Sequence, residues 1–221
     1  MKNKFDAVFF DFDGTFADTG KGIFECLDYA CEALGKPTLT DENRKKFIGP
    51  PLFDSFVNIL NCTEEEAEFG IKKYREQYNS GSMLHLEIYE GIPELLNELK
   101  KAGIFISMCS SKPAPFIKKI LAHYEMDKFI DYIACPAADR TTKSKEEMIT
   151  ESLRYFKIEK DKAVMIGDRK YDIEGAKKAG IKSIGVTYGY GSSDELKKYG
   201  ADYIVNTVND VRKVVFLQEN I

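Results

Sequence analysis

Short apolar strands alternate with amphipathic helices over most of the chain, and this alternation constrains the fold more than any other feature. Residues 5–10 (FDAVFF) predict a buried strand that ends at Asp11, and residues 104–109 predict the next strand. Further strands are expected at 132–134, 163–166, 183–186 and 203–205, and a helix is predicted before each of the first three. Because strands separated by helices usually pair in parallel, this order predicts a doubly wound parallel α/β sheet.

The stretch between the first two strands has a different character. Apolar residues recur at helical spacing over 19–35, and Thr63 with Glu66 forms a capping box at the start of a second helix. We therefore expect an α/β core of residues 1–16 and 88–221 with an inserted all-helical cap domain at 17–87. A chain of 221 residues is long enough for one domain with such an insert.

Composition excludes several classes of function. The net charge of −4 provides no general attraction to a nucleic-acid polymer. No stretch approaches the roughly 18 apolar residues of a membrane helix, and two aspartates interrupt the apolar run at the N-terminus. Five cysteines without a Cys-x-x-Cys pair, and only two histidines, make a poor zinc or disulfide inventory. We expect buried free thiols, a cytoplasmic location and no nucleic-acid or membrane partner.

Polar residues follow the predicted strands, where parallel sheets bind their ligands. Asp11 and Asp13 follow the first strand, Ser110 follows the second, and Asp168 and Asp172 follow the strand at 163–166. Lys145 begins the predicted helix before that strand. Clustered carboxylates repel unless a cation lies among them, and Mg²⁺ is a hard ion that takes carboxylate and phosphate oxygens. The set therefore predicts Mg²⁺-assisted phosphoryl transfer with an aspartate as the nucleophile.

Four motifs resemble one family along essentially the whole chain. They are DFDGT at 11–15, Ser110 within SSKP, Lys145 within KEEMI, and GDRKYD at 167–172. The phrases FIGPPL, YEGIPELL and GVTYGYGS add to the likeness. The chain resembles the haloacid dehalogenase-like superfamily of phosphohydrolases, in particular the phosphoglycolate phosphatase-like branch with a small helical cap and a Rossmann-like core.

The resemblance implies a role for each motif residue. Asp11 would attack phosphorus and become an aspartyl phosphate, and Asp13 would act as general acid and then as general base. Asp11, Asp168 and the backbone carbonyl of Asp13 would hold Mg²⁺, with Asp172 as a supporting or water-mediated contact. The catalytic set is completed by Ser110, which would bind phosphate oxygens, and Lys145, which would neutralise Asp11 and the phosphoryl group.

Some assignments stay open at this point. Lys143 is an alternative to Lys145, and Ser111 is an alternative to Ser110. The cap is expected to set the substrate, and its cations could instead form a solvated helix face. The residues proposed to bind substrate or phosphate are Gly14, Thr15, Ser111, Lys112, Lys21, Gly49 and Arg44.

The function expected from these residues is hydrolysis of a small phosphomonoester, either phosphoglycolate-like or a nucleoside monophosphate, with pyrophosphate as a further possibility. A phosphomutase of the β-phosphoglucomutase type could use the same scaffold. A non-enzymatic phospho-aspartate switch is the alternative from another class, and the inserted cap and the late GDRKYD motif argue against it. The expected partner is a small phosphorylated metabolite, and both a monomer and a homodimer are open.

Overall fold

The computed structural model of the chain describes residues 3–137 and 143–217. The chain divides into two compact units. Met1–Ala17 together with Ile88–Ile221 form the first, which we name the core unit, and Asp18–Glu87 form the second, which we name the helical unit. The two connecting segments, strands β2 (Ala17–Asp18) and β3 (Glu87–Ile88), pair with each other as a two-stranded sheet. Such short strands carry no periodicity from which a sequence pattern could be recognised.

A six-stranded parallel sheet forms the centre of the core unit. Its strands, in spatial order, are β5 (Tyr132–Ile133), β4 (Phe105–Met108), β1 (Ala7–Phe10), β6 (Ala163–Gly167), β7 (Lys182–Val186) and β8 (Tyr203–Val205). Every neighbouring pair is parallel. The predicted doubly wound parallel sheet is therefore confirmed.

The register of the three central strands decides which residues meet at the edge of the sheet. Phe10, the last residue of β1, pairs with Met108 of β4 and with Ile166 of β6. All four residues of β1 are buried, as expected for a strand covered on both faces. The residues that follow β1, β4 and β6 therefore lie side by side at the carboxyl edge.

Helices of the core unit connect these strands. Those among the described residues are α5 (Ile92–Lys101), α6 (Ala114–His123), α7 (Lys145–Phe156), α8 (Lys170–Ala179), α9 (Ser193–Tyr199) and α10 (Val208–Val215). The capping box predicted at Ser144 and Glu147 begins α7. The sequence patterns did not predict α9 and α10. None of the described helices has the length and apolar character needed to cross a bilayer.

The helical unit consists of α1 (Gly20–Ala33), α2 (Asp41–Lys46), α3 (Leu52–Asn58) and α4 (Glu64–Ser80). The predicted capping box at Thr63 and Glu66 begins α4. Helices α3 and α4 approach closely at Gly70, where a Cβ atom would lie 2.6 Å from the ring of Phe56. A larger residue at this position would separate the two helices.

All five cysteines, which are distributed over both units, are free and buried, as the sequence predicted. Burial raises the pKa of the Cys109 thiol to about 11 and that of Cys135 to about 12. Thiols with such pKa values are protonated at neutral pH and react slowly. These two cysteines therefore pack as small apolar side chains.

Candidate active site

Three buried carboxylates meet at the carboxyl edge of the central strands. Asp11 follows β1 directly, Asp168 follows β6, and Asp172 lies in the first turn of α8. The Asp11 amide donates a 2.9 Å hydrogen bond to the carbonyl of Ile166, which continues the pairing of β1 and β6 to this edge. Oxygen atoms of the three carboxylates lie within 4.8 Å of one another. We name Asp11, Asp168 and Asp172 the carboxylate triad.

The carboxylates of the triad disfavour one another's charged form. Burial, followed by the negative charges of Asp172 and Asp11, raises the pKa of Asp168 to about 8. Burial also raises the pKa of Asp172 to about 6, although the ammonium of Lys145 opposes this shift. Without a further cation, Asp168 is largely protonated at neutral pH. A cation among the three carboxylates would restore their charge.

The donor atoms of the triad fit a hard divalent cation. The triad offers only carboxylate oxygens, which Mg²⁺ prefers over nitrogen or sulfur donors. Within residues 3–137 and 143–217, no other cluster of three or more acidic, histidine or cysteine side chains has this spacing. The side chain of Asp13 is not part of the cluster. A metal contact through the backbone carbonyl of Asp13 stays a prediction.

Lys145 places a positive charge among the carboxylates of the triad. Its Nζ lies 3.2 Å from Oδ1 of Asp11 and 2.7 Å from Oδ1 of Asp172. It also donates a 2.7 Å hydrogen bond to the carbonyl of Cys109. Burial acts to lower the pKa of Lys145, but the charges of Asp11 and Asp172 outweigh burial and raise it. The ammonium is therefore charged and held between two of the carboxylates.

Two structural details explain why Lys145 rather than Lys143 reaches the triad. Lys145 is the first residue of α7, and the stem of its side chain passes over Gly175 of α8, where a Cβ atom would lie 2.5 Å from Cβ of Lys145. Lys143 lies before the helix and forms an ion pair with Glu151 instead. The structure thus brings Lys145, and not Lys143, next to Asp11.

Asp13 has a different partner from the triad. Its Oδ1 lies 2.9 Å from Nζ of Lys112, and both side chains are largely buried. Lys112 follows β4, so the pair joins the loops after two neighbouring strands. The structure therefore contains a second buried cation at the site, next to the residue expected to act as general acid.

Gly14 and Thr15 bring the loop after β1 against Asp168. Gly14 has φ +80°, and a Cβ atom there would lie 2.3 Å from Oδ2 of Asp168. A side chain at this position would both strain the backbone and collide with the carboxylate. The hydroxyl of Thr15 donates a 3.2 Å hydrogen bond to Oδ1 of Asp168. These two residues contact a triad carboxylate in the structure, whereas the sequence analysis assigned them to phosphate binding.

The two serines after β4 differ in exposure. Ser110 is buried, and its Oγ accepts a 3.3 Å hydrogen bond from the amide of Lys112. Ser111 is exposed. Because β4 neighbours β1, Ser110 follows the strand beside Asp11 and is the better placed of the two for the phosphate-binding role.

Three predicted substrate-binding residues lie in the helical unit. Lys21 is exposed in the first turn of α1, and Gly49 has φ +105° in the loop before α3. Arg44 forms hydrogen bonds of 2.6 and 2.8 Å to the two carboxylate oxygens of Asp28. This pair explains the position of Arg44 within the helical unit. A role in substrate binding stays a prediction for all three residues.

The loop after β7 contacts the triad and was missing from the predicted site. We name residues 187–191 (TYGYG) the tyrosine loop. The amide of Tyr190 donates a 2.7 Å hydrogen bond to Oδ2 of Asp168, and the Tyr188 hydroxyl donates a 3.1 Å hydrogen bond to the carbonyl of Thr15. The signal was available, because the loop follows a strand of a parallel sheet. It carries no acidic or basic residue, so charged side chains after a strand do not mark it as part of the site.

Comparison with known proteins agrees with this geometry. The chain is similar to a 5'-nucleotidase of Pseudomonas aeruginosa, with 32% identity over 212 residues that cover 96% of each protein. It is 25% identical to a phosphoglycolate phosphatase of Vibrio parahaemolyticus, over 94% of this chain and 95% of that protein. It is also 28% identical to the tyrosine-protein kinase PtkA of Mycobacterium tuberculosis, over 94% of this chain and 72% of the kinase.

Solved structures show the same relationship. The crystal structure of a predicted phosphatase from Clostridium acetobutylicum superposes with a TM-score of 0.90 at 38% identity, over 97% of this chain and 99% of that chain. The profile of the family described as haloacid dehalogenase-like hydrolase matches residues 8–186, a range that includes the whole triad. The resemblance of the motifs and the prediction of an enzyme are thereby confirmed, and the chain belongs to the haloacid dehalogenase-like hydrolase family.

Proposed function

We propose that the protein is a Mg²⁺-dependent phosphatase that hydrolyses a small phosphomonoester through an aspartyl phosphate on Asp11. The observation that carries the proposal is the environment of Asp11. Its carboxylate lies among two further buried carboxylates and the ammonium of Lys145, at the ligand-binding edge of a parallel sheet. Such an arrangement favours attack on a dianionic phosphate only when cations offset the negative charge.

The first half of the reaction forms the aspartyl phosphate. A carboxylate oxygen of Asp11 attacks phosphorus, and the bond from phosphorus to the leaving oxygen breaks. Asp13, which must carry a proton at this stage, gives it to that oxygen, so the leaving group departs with a hydroxyl. Lys145 faces Asp11 at 3.2 Å and keeps the nucleophile from repelling the phosphate. Mg²⁺, held by Asp11, Asp168 and the carbonyl of Asp13 with support from Asp172, would supply charge neutralisation of the phosphoryl oxygens.

The second half returns the enzyme to its starting state. Asp13, now a carboxylate, takes a proton from a water molecule, whose oxygen attacks phosphorus. The bond from phosphorus to Asp11 breaks, inorganic phosphate leaves, and Asp11 is again a carboxylate. Two acid–base steps by one residue require Asp13 to stay close to Asp11, and only Phe12 separates them in the chain. The Ser110 hydroxyl and nearby backbone amides are the proposed donors to the phosphoryl oxygens.

The second buried cation points to the class of substrate. Lys112 lies beside Asp13, which is the residue that would protonate the leaving group. An ammonium on this side favours a leaving group that carries its own negative charge, such as a carboxylate or a second phosphate. Relatives named 5'-nucleotidase, phosphoglycolate phosphatase and pyrophosphatase PpaX fit small substrates of this kind. We propose such a metabolite as the partner.

Phosphate release from a panel of phosphoesters, with and without Mg²⁺, tests the proposal. The panel includes phosphoglycolate, nucleoside monophosphates, pyrophosphate and p-nitrophenyl phosphate. We expect metal-dependent turnover that Asp11→Asn lowers by about 10⁴-fold or more. Asp6→Asn, a change of the same kind at an exposed position before β1, serves as the control and should retain full activity. Absence of metal-dependent turnover on the whole panel would contradict the proposal.

A phosphoryl acceptor other than water is the second candidate, because one relative is named a tyrosine-protein kinase. The structure of that kinase superposes with a TM-score of 0.82 at 28% identity, over 96% of this chain and 98% of that chain. Two assays separate the candidates. Transfer from ATP to a tyrosine peptide, or conversion of glucose 1-phosphate to glucose 6-phosphate, at a rate above phosphate release would replace hydrolysis with transfer.

A further inference from the structure

We propose that the tyrosine loop fixes the metal-binding carboxylate of Asp168, and that Tyr188 is a positioning residue which acts on Asp168 through Thr15. The inference rests on the Mg²⁺ site of the proposed function, but not on the identity of the reaction. It assigns a role to a loop whose side chains carry no formal charge at neutral pH. The contacts that support it all lie within the core unit.

Both oxygens of Asp168 are held by hydrogen bonds from outside the triad. The Thr15 hydroxyl donates to Oδ1 at 3.2 Å, and the Tyr190 amide donates to Oδ2 at 2.7 Å. Two donors on opposite oxygens prevent the carboxylate from rotating about its Cβ–Cγ bond. Each oxygen keeps a further lone pair that can bind a cation. The carboxylate is thus oriented before any metal binds.

Tyr188 holds the donor rather than the carboxylate. Its hydroxyl donates a 3.1 Å hydrogen bond to the carbonyl of Thr15, in the same residue whose hydroxyl reaches Asp168. The ring of Tyr188 packs edge-on against Tyr89, with ring centres 4.8 Å apart, and this contact orients the phenol. Removing the hydroxyl alone would therefore release Thr15 while the packing of the ring stays intact.

Gly14, in the loop after β1, and Gly189 and Gly191, in the tyrosine loop, let these two loops approach Asp168 closely. A Cβ atom on Gly189 would lie 2.1 Å from the carbonyl oxygen of Gly14 and 2.6 Å from Cβ of Asp168. A Cβ atom on Gly191 would lie 1.8 Å from the backbone carbonyl oxygen of Asp168. These distances leave no space for a side chain. The close approach brings the Tyr190 amide within hydrogen-bond distance of the carboxylate.

Orientation of a ligand matters more for Mg²⁺ than for Ca²⁺. Mg²⁺ requires nearly ideal octahedral geometry, whereas Ca²⁺ accepts variable distances and coordination numbers. Loss of a group that orients a metal ligand typically weakens metal binding by about 10–100-fold. A released Asp168 should therefore weaken Mg²⁺ binding more than Ca²⁺ binding. If Tyr188 had only a structural role, its substitution would weaken the binding of both ions to the same extent.

The experiment is isothermal titration of the purified full chain with MgCl₂ and, separately, with CaCl₂. We expect Tyr188→Phe to weaken Mg²⁺ binding by about tenfold and Ca²⁺ binding by less than about threefold. Tyr203→Phe is the matched control. It removes a hydroxyl that accepts a 2.7 Å hydrogen bond from Lys4 elsewhere in the core unit, and it should leave both affinities unchanged.

The following outcomes decide the proposal. A selective loss of Mg²⁺ affinity in Tyr188→Phe supports it. Equal Mg²⁺ affinity in Tyr188→Phe and the wild-type protein overturns it, and so does an equal loss for both ions. A Gly189→Ala variant that folds should lose Mg²⁺ affinity further, and unchanged affinity there would also overturn the proposal. Wild-type protein that binds Mg²⁺ but releases no phosphate would refute the proposed function and leave this inference standing.

Discussion

The two ends of the central sheet carry the same residue types in opposite settings. At the carboxyl edge, Lys145 pairs with Asp172, and their side chains are only 6% and 1% exposed. At the start of β7, Lys182 pairs with Asp202 at 2.6 Å, and their side chains are 56% and 28% exposed. Each end thus has a lysine and an aspartate in direct contact. The difference between them is burial.

Burial changes the direction in which the pKa of the aspartate is shifted. At the exposed end, partial burial acts against charge, but hydrogen bonds from Lys182 and Ser183 outweigh it and lower the pKa of Asp202. At the buried end, desolvation outweighs the ammonium of Lys145 and raises the pKa of Asp172 to about 6. The carboxylate at the exposed end is stable in its charged form without a bound cation. The triad at the buried end requires a bound cation for all three carboxylates to be charged at neutral pH, because the pKa of Asp168 is about 8. This requirement distinguishes a binding site from a surface ion pair.

The largest expected difference comes from removing the lysine at each end. Lys145→Met would leave the triad without its cation, since it removes one partner of a buried pair. We expect the free energy of unfolding to fall by about 3–5 kcal/mol and kcat to fall by about 10²–10³-fold. Urea denaturation without metal, together with phosphate release with Mg²⁺, measures both quantities.

Lys182→Met is the matched change at the exposed end. It should leave the urea midpoint and kcat unchanged, because water solvates the carboxylate that loses its partner. An equal loss of stability in the two variants would show that burial does not separate the two ends.

The dependence of stability on pH is the next test. The pKa of Asp168 in the folded chain is about 8, against about 3.9 in an unfolded chain. Between these values the folded state binds more protons, so the free energy of unfolding without metal falls as pH rises, by at most about 1.4 kcal/mol per pH unit. Asp202 affects the free energy of unfolding in the opposite direction. Its pKa is lowered in the folded chain, so its stabilising contribution is lost only as the pH falls into the acid range.

Thermal denaturation between pH 5.5 and 8, with and without Mg²⁺, measures this dependence. Metal should stabilise the protein most at the alkaline end, where fewer protons compete for the triad. Asp168→Asn should flatten the pH profile without metal and abolish the shift by Mg²⁺. Asp202→Asn should leave both unchanged over this range. A metal shift that grows toward acid would contradict the assignment of the triad as the site.

The smallest expected effect concerns substrate preference. Lys112→Met should lower kcat/KM for phosphoglycolate relative to p-nitrophenyl phosphate by about tenfold, the value of one charged hydrogen bond. The reason is that Lys112 lies beside Asp13 on the side of the leaving group. Lys118→Met, a change of an exposed lysine on α6, is the control. An unchanged ratio of the two kcat/KM values would remove Lys112 from substrate selection.

The candidate site was largely predictable because its side chains follow strands with clear local patterns. Asp11, Ser110 and Asp168 each come directly after, or one residue beyond, an apolar run, and the parallel order of the runs brings their ends together. Lys145 was predicted from its place in a motif, and the structure adds the reason that it reaches the triad at the first turn of α7.

The parts that escaped prediction depend on backbone atoms and on long-range pairing. The Tyr190 amide that binds Asp168 is a main-chain donor, and a sequence does not mark which amides will face a carboxylate. The ion pair between Lys112 and Asp13 joins residues about 100 positions apart, and no periodic pattern in the sequence predicts such a pair. Strands β2 and β3 are two residues long, which is below the length at which alternation can be recognised.

The central position of β1 has a consequence for how the protein is made. Ala7 of β1 pairs with Phe105 and Ala163, which the ribosome adds about 100 and about 150 residues later. The strand that precedes Asp11, the proposed nucleophile, therefore emerges early and pairs only after both of its neighbours have been made. Such distant pairing slows folding and exposes an apolar strand during synthesis. The carboxylate triad is complete only after Asp172 has been translated, so the proposed metal site can form only late in synthesis.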